Sequence, residues 1–365
     1  MPSRPSILII TGTLSLATII SIVTSVNPNV EAVPATYAFF TKWGNEGSGN
    51  GQFEYPRGIA VDPSTHEVYV SDTGNHRIQK FKLASQCPVD TTQITLDVCL
   101  ITEWGKFGSG NKHFKYPFGI AVDPSTHEVY VSDTYNHRIQ KFTGSGTYVT
   151  KWGSEGLGDG QFEYPQGIAV DPSTHEVYVS DTPNHRIQKF TGSGTYITKW
   201  GSYGSGNGQF EYPRGIAVDP STHEVYIADS YNNRIQKFRL STQCRVGTTQ
   251  IESGVCFVIK WGSAGGLPIG DGQFHNPSGI NLDTSHDIYI ADTSNARIQK
   301  FKLASQCPVD TTQITLGVCF ITKWGNWGSG NGQFRVPIDL AIDSSNDQVY
   351  VVDSQNHRIE VFAHQ

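Results

Sequence analysis

The stretch Tyr55–Phe81, YPRGIAVDPSTHEVYVSDTGNHRIQKF, decides the fold, because the chain writes it six times. Further copies run Tyr116–Phe142, Tyr164–Phe190, Tyr212–Phe238, Asn276–Phe301 and Val336–Phe362. Self-similarity at a near-constant period marks a repeat architecture, in which a unit too small to bury its own apolar face covers that of its neighbour. Within the unit, GIAVD, EVYVSD and RIQKF are short runs rich in Val, Ile, Tyr and Phe, separated by the turn formers PSTH and TGN. They read as three antiparallel strands. A fourth run follows, as in TYVTKWG at 147–153, before a glycine-rich loop such as SEGLGDGQFEYPQ leads into the next unit.

Four strands per unit and six units make an all-β, six-bladed β-propeller with four-stranded antiparallel blades. The last copy stops at Phe362 after its third strand, while the chain enters through an orphan fourth strand, Ala38–Gly44 (AFFTKWG). That strand is expected to complete the final blade and so remove the edge that an open sheet exposes. Composition agrees: 38 glycines and 11% aromatic residues accompany an ordinary 37% hydrophobic content, a soluble all-β signature. The net charge is −6, mildly acidic.

Ahead of the array, Arg4 precedes an uncharged apolar run, Ile7–Val26, ended by Asn27 and Pro28. Residues 1–32 read as a signal peptide cleaved before Val33, with an uncleaved anchor as the alternative, since about 20 apolar residues span a bilayer. Either way the repeats, residues 33–365, are expected to form a single domain outside the cell, secreted or at its surface. The cysteines fit that compartment. They fall as Cys87 with Cys99, Cys244 with Cys256 and Cys307 with Cys319, always 12 apart and always in the same place of the unit, so the repetition selects three local disulfides. Each staples a loop such as CPVDTTQITLDVC, worth about 3 kcal/mol in the chain-entropy model. Two thiolates without a nearby histidine do not make a four-ligand zinc site.

The run from the proline-glycine strand start through Val-Asp-Pro to Asn-His-Arg-Ile-Gln-Lys-Phe resembles the NHL repeat, named for an asparagine-histidine-leucine triplet written here as Asn-His-Arg. The resemblance covers Tyr37–Phe362, with Ala296 in place of the histidine and Asp339 in place of the glycine in the last two units. It implies the propeller fold and leaves function open, because such propellers serve as protein-binding, RNA-binding, sensor and, in an amidating-lyase branch, catalytic domains.

With the strands lettered a to d from the axis outward, the d-to-a loops and the b-to-c turns (DTGNHR and its equivalents) emerge on one face. The a-to-b turns (PSTHE) and the c-to-d disulfide hairpins emerge on the other. Residues present in every unit are most cheaply read as blade construction. Asp72 with Arg77, and the matching pairs Asp133 with Arg138, Asp181 with Arg186, Asp229 with Arg234, Asp292 with Arg297 and Asp353 with Arg358, are expected to tie the b-to-c turn by ion pairing. Trp43, Trp104, Trp152, Trp200, Trp261 and Trp324 end outer strands, where a large ring packs between blades or offers a platform to a sugar. His76, His137, His185 and His357 begin third strands, roughly 10 Å outside the channel wall at about 4.8 Å per strand, too far apart to share a metal. No metal or other cofactor is expected. His66, His127, His175 and His223 lie in the opposite-face turns and fail similarly. Asp62, Asp123, Asp171, Asp219, Asp283 and Asp343 end the inner strands, where aspartate caps its own turn and a bound cation is the alternative.

The informative positions are those at which near-identical units differ. Before the first-strand glycine or its equivalent stand Arg57, Phe118, Gln166, Arg214, Ser278 and Ile338, and in the b-to-c turns stand Gly74, Tyr135, Pro183, Tyr231, Ser294 and Gln355. Both series are expected to ring the channel mouth, with Arg57, Phe118, Gln166, Arg214, Tyr135 and Tyr231 as ligand contacts. The expected function is an extracellular, monomeric binding module for a peptide, protein or glycan, meeting the membrane only through an uncleaved leader. The alternative is a propeller enzyme resembling peptidyl-hydroxyglycine amidating lyase or a propeller hydrolase, but no nucleophile with a base is visible and the inner strands read GIAV in four units. RNA binding is opposed by the leader and the acidic balance, although Lys106, Lys112 and Lys115 make one loop locally basic.

Overall fold

Runs such as EVYVSD carry apolar residues at consecutive positions, a pattern that suits strands buried on both faces. The computed structural model describes residues 36–365 except 84, 85, 90, 242, 243, 245–247, 253, 265–268, 304, 305, 309–312 and 316. The expected signal peptide, residues 1–32, lies outside the described residues. Six antiparallel sheets stand as the six blades. Blade two shows the plan, with inner strand Pro117–Asp123, then Glu128–Asp133, Arg138–Phe142 and outer strand Tyr148–Trp152. Five of the six residues of Glu128–Asp133 are buried, because neighbouring blades cover both faces of the strand. The core is accordingly six apolar seams, one per joint. At the seam of blades six and one, Trp43, Tyr350 and Val352 meet Phe53, Val68 and Phe81.

The ring closes as expected: the entering strand Tyr37–Trp43 pairs with the last strand, Arg358–His364, with Trp43 opposite Ile359. Blades one, four and five depart from four strands. Each carries a fifth at its outer edge, Thr92–Thr95, Thr249–Glu252 and Gln313–Thr315. The cause is the disulfide hairpin. Cys87–Cys99, Cys244–Cys256 and Cys307–Cys319 are bonded, with Cα atoms 6.0, 5.5 and 6.0 Å apart, and fold each connection back on the start of the outer strand. The β-branched Thr and Ile of TQIT then find a partner. The tryptophans pack between blades: Trp200 lies edge-on to Tyr178 of its own blade, at 75° between planes, and meets Phe238 of the next.

The b-to-c turn holds the most polar contacts. In blade three, Arg186 Nε donates to Asp181 Oδ2 (2.7 Å), while its other nitrogens donate to the carbonyls of Leu157, Gly158 and Gln161 in the preceding loop. Asn184 donates to Asp181 and to the Gly156 carbonyl, and Gln188 to Asp181 and the Gln161 carbonyl. The same Asp–Arg contact spans 2.7 Å in the other blades and 3.1 Å in blade six. Burial lifts the Asp181 carboxyl above its ordinary range although Glu163 N–H, Asn184 and Arg186 pull it down. A buried pair of this kind fixes geometry more than it adds stability.

The neighbouring residues of the turn hold the next blade. Thr182 donates to the Pro213 carbonyl (2.8 Å), and the Tyr212 backbone N–H donates to Nδ1 of His185 (3.1 Å). His76, His137 and His357 accept in the same way from Tyr116, Tyr164 and Tyr55. Blade four carries Asn233 instead, whose Oδ1 accepts from the Asn276 N–H at 2.9 Å. The repeated histidine is thus a joint between blades.

An acceptor Nδ1 must be unprotonated, and burial holds His76 and His185 below the ordinary histidine value. The stability these two contribute is therefore present above about pH 6.5 and lost as pH falls through their lower folded values. His185→Asn, copying Asn233, is expected to keep the latch, worth about 1 kcal/mol, and to flatten the decline between pH 7 and 5 in denaturant titrations. In blade six, Glu360 replaces the glutamine found in the other blades. It accepts the Gly332 N–H (2.8 Å), lies 2.6 Å from Arg358, and is pushed up to about 7 by burial. A folded value raised above about 4.3 gives stability that is present in acid and lost as pH rises through 7. Glu360→Gln is expected to raise stability by on the order of 1–2 kcal/mol at pH 8 and little at pH 4, read from guanidinium midpoints at both pH values.

Candidate functional site

The channel mouth is built by close approach of the inner strands. A Cβ on Gly58, Gly119, Gly167 or Gly215 would fall 1.9–2.2 Å from the carbonyl oxygen of Phe118, Gln166, Arg214 or Ser278 of the next blade. Only glycine fits there. In the sixth blade Asp339 takes the glycine position, and its Oδ2 accepts the Ile59 N–H of blade one at 3.1 Å. Burial pushes the Asp339 carboxyl up to about 7 against the pull of the Ile59 and Leu340 N–H groups.

Immediately before this ring stand the positions at which the units differ. Arg57, Phe118, Gln166, Arg214, Ser278 and Ile338, one from each blade, line a single axial cavity of about 60 Å³ with the ring residues, Asp339 included, beneath them. The first of the two expected series is therefore brought together. The second forms its rim in part: Tyr231 lies against the Arg214 guanidinium (5.6 Å to the ring centroid), and Tyr135 packs against Tyr116 and Tyr164. The Arg57 guanidinium stands 4.4 Å over the Phe118 ring. Burial lowers both guanidinium groups from their ordinary value, and the charge of Arg214 lowers Arg57 further. Farther out on the same face, Phe107, Tyr203 and Trp327 expose their rings at the tips of the d-to-a loops.

The opposite mouth is a construction feature. Asp62 Oδ1 accepts from the Ser64 amide and hydroxyl, the expected self-capping turn, but its Oδ2 meets Nδ1 of His127 in the next blade at 2.6 Å. Pairs of the same kind join His175 to Asp123, His223 to Asp171, His286 to Asp219 and His66 to Asp343. Burial opposes ionisation of Asp62, yet Ser64 and His127 outweigh it and hold the carboxyl below the usual range. The sixth pair does not form, because Asp347 stands where the histidine would be, and Asp283 accepts the Tyr289 hydroxyl (2.8 Å) instead. The sequence signal for these joints is aspartate and histidine recurring together in the DPSTH turns. Among the described residues no group of three His, Cys, Asp or Glu could hold a metal ion.

The NHL repeat pattern matches residues 53–81, 114–142, 162–190, 210–238, 274–301 and 334–362. The chain is similar to rat peptidylglycine alpha-amidating monooxygenase, 35% identical over 105 residues, which is 28% of this chain and 10% of that protein. It thus spans about a tenth of the length of this relative. In fold it is similar to a structural genomics protein of unknown function from Bacteroides thetaiotaomicron, with TM-score 0.58 and 16% identity over 91% of this chain and 76% of that one. It is likewise similar to virginiamycin B lyase from Staphylococcus aureus, with TM-score 0.51 and 15% identity over 90% and 99% of the two chains. Six matched repeats, each ending in the third strand of one blade, make this chain a member of the NHL-repeat proteins, closed into a six-bladed β-propeller.

Proposed function

We propose that this chain is a binding module working outside the cell, taking a peptide, protein or glycan partner on the face that carries the d-to-a loops. One observation carries the reading: the positions at which near-identical units diverge converge on one axial cavity. The repeated polar residues are already engaged, Asp–Arg within blades and histidine between them, so the divergent positions are those free to recognise something. Aromatic and guanidinium groups at a concave mouth are the anchors that binding sites favour. Exposed rings at Phe107, Tyr203 and Trp327 extend the same face. The three disulfides favour an oxidising compartment, and among the described residues no helix is long and apolar enough to cross a membrane.

Arg57→Ala, Phe118→Ala and Arg214→Ala combined are expected to reduce recovery of extracellular partners in a pull-down at least tenfold with the fold intact by circular dichroism; unchanged recovery would overturn the reading. Thiol titration of the unfolded, unreduced protein is expected to find no free thiol. Six free thiols would remove both the pairing and the compartment.

A further inference from the structure

The arginines of the b-to-c turns are saturated groups. Arg186 spends its donors on one carboxylate and three carbonyls, and Arg138 and Arg234 do the same. Arg57 and Arg214 differ. They occupy the same position of blades one and four, which face each other across the axis of a six-bladed ring. Among the described residues neither lies within ion-pairing distance of a carboxylate. The Arg214 Nη1 reaches the Ser278 hydroxyl at 3.3 Å, its Nε is buried without a partner, and Arg57 rests its guanidinium on the Phe118 ring. Two enclosed like charges that face each other uncompensated are unfavourable, and an anion between them reverses the sign of the interaction.

Resting on the reading of this mouth as the binding face, we propose that the axial cavity is an oxyanion site, in which a carboxylate, sulfate or phosphate group of the ligand enters along the axis and is held between Arg57 and Arg214. The guanidinium fork suits such groups because it presents parallel N–H donors to two oxygens. Ser278 and Gln166 line the same cavity and add neutral polar groups. At about 60 Å³ the space is several times the ~10–15 Å³ that one water requires, room for one oxyanion group and not for a whole ligand. The remainder of the ligand therefore lies among the rim aromatics, Tyr135 and Tyr231. The carboxyl that shares the cavity, Asp339, is neutral below about pH 7 and leaves the pair uncompensated there.

The test is titration of the disulfide-bonded chain at pH 6 with sodium sulfate, phosphate and acetate, followed by calorimetry and thermal melting at ionic strength matched with chloride. Saturable binding of at least one oxyanion beyond chloride is expected, about tenfold weaker in Arg57→Gln and in Arg214→Gln and absent in the double variant. The anion that binds tightest names the source, sulfate and phosphate for an ester of either kind and acetate for a carboxylate. No response beyond chloride, or a double variant that responds like the wild type, would overturn the site. Should the double variant not fold, Arg57→Lys with Arg214→Lys keeps the charge and loses the fork, and is expected to bind about tenfold more weakly; undiminished binding there also overturns it. Loss of anion binding with partner recovery unchanged would support the oxyanion site while overturning the mouth as the partner face. Partner recovery lost on Phe118→Ala, with no anion response in the wild type, would overturn the oxyanion site alone.

Discussion

The buried Asp–Arg pair of each b-to-c turn is the interaction on which the rest of the blade depends. A carboxylate with no solvent exposure, such as Asp181, is tolerated only if its lone pairs are filled. Arg186, Asn184, Gln188 and the Glu163 N–H fill them, and all but the backbone N–H also bond loop carbonyls. A glycine-rich loop with little apolar content of its own is thereby held in one conformation. The loops on this face are held by hydrogen bonds from the turn arginine.

Joints between blades are polar at both ends and apolar in the middle. On the face of the b-to-c turns the histidine or asparagine of the turn accepts a backbone N–H of the next blade, and on the opposite face histidine meets aspartate across the joint. Between them lie the apolar seams with their tryptophans. Directional bonds at both rims set the angle between blades, which apolar contact alone leaves loose, and six equal angles are what close the ring. The exceptions sit together. Blade five has Ala296 in place of the turn histidine, blade six has Asp347 in place of the opposite-face histidine, and blade six carries Asp339 and Glu360 where the others have glycine and glutamine. Both missing rim bonds fall on the joint between blades five and six, whereas the joint closed by the entering strand keeps His357 with the Tyr55 N–H and His66 with Asp343.

Much of the candidate site was legible because duplication supplies its own control. With six copies of one unit, a position that varies among them cannot be required by the blade, and Arg57, Phe118 and Arg214 stood out for that reason. Strand spacing alone sets the turn histidines apart, but their acceptor role, and that of Asn233, depends on which backbone N–H the next blade brings near. Likewise the Asp-Pro-Ser spacing implies a turn cap, which Asp62 makes through one oxygen. The other oxygen belongs to the neighbouring blade.

The sequence by itself determined the strands, the six-fold repetition, the strand that closes the ring and the three disulfides, since all of these follow from local periodicity and from counting copies. Only the tertiary structure decided the fifth strands, because a stapled connection pairs with whatever edge it is folded onto. It also decided the mouth. Residues about 50 to 60 positions apart in sequence meet at the axis only when the inner strands approach within the reach of a carbonyl, and that approach brings two guanidinium groups into one cavity with no ion pair to either among the described residues.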